Sequence, residues 1–151
     1  MPFTLVSALS VLLLHAQATP TVAPIPWIPP LRSRAMISVA LSGNSPTAAI
    51  ERIAAECGRR SMAVAARGPM QIVCTAEPDY ASRLAYRTAT PEPAGPLAGF
   101  VRFTVTQGED GARIEALQYA EYNVRGRQQQ LLSDNAALVR DMLAAAGIAG
   151  L

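Results

Sequence analysis

Two cysteines, thirteen arginines, eleven carboxylates and four tyrosines carry the chemistry available to this chain. Cys57 and Cys74 bracket the stretch "ECGRRSMAVAARGPMQIVC", with sixteen residues between them. That spacing excludes a thioredoxin-type site, which needs C-x-x-C, and a metal site needs further ligands. A disulfide or two buried free thiols are the readings left. Glu115 and Glu121 share parity on an expected strand, and glycoside hydrolysis uses paired carboxylates. Arg102 and Arg113 lie near enough in sequence to pair with them, so a solvated, ion-paired face is the expectation there. The arginines gather loosely as Arg59, Arg60 and Arg67, and as Arg125 with Arg127. Their forked guanidinium donors suit a carboxylate or phosphate, which makes them candidate anion or partner contacts; the competing reading is a solubilising role. Of the tyrosines, Tyr119 and Tyr122 fall on opposite faces of a regular strand, one to be packed and one exposed.

All the basic residues are arginine, and the single histidine is His15. The N-terminus accounts for that histidine. "FTLVSALSVLLL" is an apolar run followed by "AQA", the layout of a secretory signal peptide over residues 1–18 with cleavage after Ala18. The run is shorter than the roughly 20 residues of a membrane-spanning helix, so an N-terminal membrane anchor arises only if this peptide stays uncleaved. A periplasmic or secreted location follows. The remaining chain, 19–151, holds neither His nor Lys. This removes the histidine base of hydrolase triads, the commonest metal ligand, Schiff-base chemistry and the P-loop lysine. No enzyme activity, cofactor or metal is therefore expected. A formal charge of +2, with no aromatics interleaved among the arginines, argues against nucleic acid as a partner.

The elements that must position these residues follow from periodicity. Residues 19–33 open with "TPTVAPIPWIPP", a Pro-rich extended linker read as a spacer, with a recognition segment anchored by Trp27 as the alternative. A single domain over 34–151 follows. In "AMISVALSG", Ile37, Val39 and Leu41 alternate as a half-buried strand. "NSPTAAIERIAAECG" predicts a helix capped by Ser45, opened by Pro46 and closed by Gly58, with Ile50, Ile53, Ala54 and Cys57 on one stripe. "SMAVAARGPMQIVCTAE" predicts a hairpin turning at Gly68–Pro69. The 77–99 stretch reads as irregular, with a short helical turn around Tyr80–Tyr86 and loop in its Pro/Gly-rich second half. Val101, Phe103 and Val105, then Ile114 and Ala116, alternate on either side of a Gly108–Gly111 turn. Leu117 breaks the parity and predicts a bulge or a partly covered outer face. "RGRQQQ" reads as a polar passage. Ser133 or Asp134 caps a last helix whose stripe is Leu138, Val139, Met142 and Ala146, ended by Gly147.

The expected class is α+β: an antiparallel sheet of about five strands with two helices on one face, in the order β-α-β-β-β-β-α, the last helix lying across the sheet. The hairpin register sets Ala63 opposite Cys74 and turns Cys74 inward, towards the layer that the Cys57 stripe also seeks. An oxidising compartment allows a bridge, worth about 3 kcal/mol by loop entropy.

In "AAIERIAAECGRR", "MQIVCTAE", "GFVRFTVTQGEDGARIEA" and "NAALVRDMLAA" the chain resembles small exported bacterial proteins of helix-grip type. The accessory lipoproteins of the outer-membrane assembly machine have domains of similar topology, but their lipid-anchoring cysteine has no counterpart here. The expected function is a non-catalytic domain that binds another cell-envelope component through the cleft between sheet and last helix, with the irregular 77–99 segment as its rim. The alternative is a small-ligand-binding protein using that same cleft.

Overall fold

The structure, a computed structural model, describes residues 36–89 and 93–148. The signal-peptide and linker readings therefore lie outside the described residues. Strand β1 (Ile37–Ala40) buries Ile37 and Val39, as its alternation requires, and is followed by helix α1 (Pro46–Arg59). Ser45 caps α1 by accepting from the Ala48 N–H at 3.2 Å, and Pro46 occupies the first turn, where its missing donor costs nothing. Ala49, Ile50, Ile53 and Cys57 form the buried stripe.

Gly58 does not close this helix. The chain stays helical through Arg59, and Ser61 takes the left-handed conformation at φ 57°. The Met62 and Ser61 N–H groups then bond the Cys57 and Gly58 carbonyls at 2.9 and 3.0 Å, which satisfies the orphan acceptors. Met62 packs against the core beside this turn, an apolar contact that commonly accompanies the motif.

Strands β2 (Val64–Gly68) and β3 (Gln71–Ala76) form the first hairpin. Its turn is Pro69–Met70, one residue later than expected, because Gly68 pairs with Gln71. A register shift between Val64 and Ala66 sets Val64, not Ala63, opposite Cys74, and Met70 is exposed at the turn. Helix α2 (Tyr80–Thr88) is a full element rather than a turn. Strand β4 (Ala94–Gly108) begins inside the stretch read as loop, and β5 (Gly111–Val124) returns alongside it. The polar passage is also a strand, β6 (Arg127–Leu132). It joins β5 through a two-residue turn in which Arg125 and Gly126 both have positive φ, 51° and 76°, the geometry that matches the twist of a tight hairpin. Helix α3 (Ala137–Ala145) completes the fold. Asn135 Oδ1 accepts from the Ala137 N–H in place of the Ser133 or Asp134 cap. Gly147 ends the helix at φ 67°.

The class is thus α+β, but the described residues form six strands and three helices rather than five and two. The sheet is antiparallel in the order β1-β5-β4-β3-β2, with β6 also on β5. β5 is long enough to pair β1 at 113–116 and β6 at 119–124. Val101, Phe103, Val105, Ile114 and Ala116 face α1 and α3, and Ile50, Ile53, Met142, Leu143 and Ile148 close the layer from above. These side chains fill the space between sheet and last helix, where the cleft was expected. Leu117 causes no bulge: it pairs in register with Arg102 and is buried on the sheet's other face.

Candidate functional site

Cys57 on the α1 stripe and Cys74 on β3 both point into the core, and the two are joined as a disulfide with Cα atoms 6.3 Å apart. Helix and sheet are pinned at the centre of the fold. This is a structural bridge; both residues are fully buried. A disulfide fits an oxidising, non-cytoplasmic compartment, and no helix among the described residues is long and apolar enough to cross a membrane.

The first arginine group serves α1. Arg59 and Arg60 both pair with buried Glu56, Arg59 also donates to the Ala145 carbonyl at 3.4 Å, and Arg67 pairs with Glu51. Arg125 and Arg127 lie exposed at the tip of the β5–β6 hairpin. Glu115 and Glu121 share a face of β5, but six residues of extended chain set them roughly 20 Å apart, well beyond the roughly 6.5–9.5 Å of an inverting carboxylate pair. Glu121 is instead buried beneath Gln128 and Gln130, which donate to its two oxygens. No group of three or more His, Cys, Asp or Glu gathers among the described residues.

At the other end of the sheet, α2 and the start of β4 carry exposed apolar and basic side chains. The chain leaves β3 and crosses tightly over Gly99 of β4. A Cβ there would collide with the Ala76 carbonyl oxygen and lie 2.7 Å from the Pro78 nitrogen, so only glycine permits the crossing. Gln118 on β5 donates to the Glu77 carbonyl at 3.0 Å and fixes the crossing from below. Asp79 then caps α2, accepting from the Ser82 N–H at 2.7 Å, while its second oxygen accepts from the Ser133 hydroxyl ahead of α3. Burial raises the Asp79 carboxyl, but the hydrogen bonds from Ser133 and from the Ser82 side chain and backbone, helped by Arg83, outweigh it and hold the group below its ordinary value. At the far end, Tyr86 donates to the Gly95 carbonyl at 2.5 Å and meets Tyr122 edge-on, with ring centroids 5.6 Å apart.

Only Ser82 of α2 is buried. One turn apart on the helix, Tyr80 is 73% exposed and Leu84 49% exposed. Arg83 and Arg87 flank them, and with Glu77, Pro78, Tyr86 and Leu97 they line a groove of about 320 Å³ between α2 and β4. A second groove, about 480 Å³, lies where Ala94–Phe100 meets Glu121–Asn123 and Gln128. β4 outruns β3 here: its last β3 partner is Gly99, so among the described strands Ala94–Ala98 pairs only with β5. No family model, curated protein or solved structure matches this chain. Sequence reasoning offered 77–99 only as the rim of a cleft and did not single out Arg83, Leu84 and Arg87. The available signal was "DYASRLAYRT" itself, an Asp cap with arginines four residues apart.

Proposed function

We propose that this chain is an exported, non-catalytic domain, periplasmic or secreted, that binds another cell-envelope component through α2 and the start of β4. The observation that carries the reading is the outward face of α2. Tyr80 and Leu84 present large apolar side chains to water on a helix that needs neither for its own docking, and a rim of Arg83 and Arg87 favours an acidic, apolar partner surface. Among the described residues no strand pairs the outer edge of Ala94–Ala98, and apart from the Gly95 carbonyl that Tyr86 holds, it adds backbone groups that an extended segment of the partner can use. The resemblance to exported helix-grip proteins belongs to the same proposal, since α3 packs on β5 and α1.

A photoreactive residue at position 84, introduced in the native envelope, tests this. A discrete adduct is expected there and not from Asp110, in the distant β4–β5 turn. Equal labelling from both positions, or none from position 84, refutes the site.

A small ligand is the second reading, favoured by the groove of about 480 Å³ rather than by the filled space under α3. Native mass spectrometry separates the two, since only a ligand carrier retains small-molecule mass after purification.

A further inference from the structure

The described helices all lie on one face of the sheet. α1 and α3 pack on Ile114 and Ala116, and α2 meets Tyr122 of the same parity on β5. The opposite face carries a second apolar cluster. Val73, Arg102 and Leu117 stand side by side across β3, β4 and β5, and Tyr119 lies between Phe100 and Leu132. Phe100 stacks on Tyr119 with centroids 5.4 Å apart, and the Arg102 guanidinium sits 5.6 Å over the Tyr119 ring. In-plane strand neighbours leave the outward side of a side chain open to water. Yet Val73, Leu117 and Tyr119 are only 1%, 4% and 3% exposed. No described element lies over them.

We infer that the Pro-rich segment 19–35 of this same chain docks across that face, with Trp27 as its anchor. Met36, the first described residue, packs against this cluster, so the segment enters the fold at the margin of the face it is assigned to cover. At about 3.1 Å per residue in a polyproline helix, seventeen residues reach roughly 50 Å. Crossing the sheet, at about 4.8 Å between strands, needs roughly 20 Å. The chemistry also matches. Val22, Ile25, Trp27, Ile28 and Leu31 supply apolar side chains, and prolines bring no N–H donors to be stripped of water. A stiff polyproline segment has little entropy to lose, and surfaces lined with aromatic rings are what such segments dock on.

Trp27 is the only tryptophan, so its fluorescence reports on the segment alone. In the chain from Thr19 onward, Trp27 emission is expected to lie to the blue of that from a synthetic 19–35 peptide, with acrylamide quenching reduced several-fold. Leu117→Ala and the milder Phe100→Ala each shift it back towards the peptide, while Val105→Ala, on the α1–α3 face, leaves it unchanged. Emission and quenching equal to the peptide's overturn the inference. So does a blue shift lost on dilution, which assigns the face to a second copy, or a response to Val105→Ala in place of the other two variants.

Discussion

Replacing both cysteines by alanine, Cys57→Ala with Cys74→Ala, removes the one covalent link between α1 and the sheet. The loop it closes spans 17 residues. Chain-entropy arithmetic for a loop of that length gives about 10 cal/mol/K, or about 3 kcal/mol at 25 °C. Both cysteines are fully buried, so losing two sulfur atoms from the core adds a smaller packing cost in the same direction. Against a typical domain stability of about 5–15 kcal/mol, the double variant is expected to fold but to melt roughly 10 °C or more below the wild type. Urea unfolding under non-reducing conditions measures the difference directly. The urea m-value is expected to rise in the variant, because its unfolded chain is no longer cross-linked and exposes more surface. Since the bridge is inaccessible in the folded state, a reductant is expected to lower the wild type's midpoint only as the chain opens. A double variant within about 1 kcal/mol of wild type, or two alkylated thiols in unreduced native protein, refutes the entropic account.

Gly99→Ala places a methyl group against the Ala76 carbonyl and the Pro78 backbone; a destabilisation of about 1–3 kcal/mol by urea unfolding is expected, and an unchanged midpoint refutes the crossing. Asp79→Ala removes the α2 cap and the tie to Ser133, at a cost of about 1 kcal/mol at neutral pH. Because the folded Asp79 pKa is depressed, its contribution is present above the unfolded value of about 4 and fades as pH falls through the lower folded value. The gap between wild type and Asp79→Ala is therefore expected to narrow below about pH 4 in an acid titration of stability. Tyr119 behaves in the opposite sense. Burial, reinforced by Glu121 and opposed by Arg102, pushes its phenol up to about 12, so its stabilising share holds below the unfolded value of about 10 and is lost as pH rises towards 12. Absorbance titration is expected to show a late phenolate step that disappears in Tyr119→Phe.

The core was legible because its signals are local and redundant. Val101, Phe103 and Val105 alternate with period two, Ile50, Ile53, Ala54 and Cys57 recur at helical spacing, and Ser45–Pro46 marks where the period changes. Cys57 and Cys74 follow from those two patterns alone, because the parity of β3 puts Cys74 on the inner face even though the turn falls one residue later than its Gly-Pro signal suggests. The helix end at Ser61 was hidden for a related reason. Gly58 carries the usual stop signal, but the Glu56 pairs to Arg59 and Arg60 favour continuing the helix through Arg59, so the left-handed turn falls three residues later, at Ser61, where Met62 reaches the core.

The elements that build the candidate site leave no such record. β6 lies at a sheet edge with Arg127, Gln128 and Gln129 exposed, so it has no alternation to read, and its turn uses Arg125 where Asn or Gly would announce a two-residue hairpin. Ala94–Ala98 looks like loop because Gly95 and Pro96 punctuate it; pairing on one side only is what lets a strand tolerate them. α2 buries a serine and exposes Tyr80 and Leu84, the reverse of the pattern that betrays a core helix. An exposed apolar face such as this one, which we propose as a binding surface, inverts the burial rule on which sequence reading depends. The α2 face could be recognised only after the rest of the core had been shown to close without it.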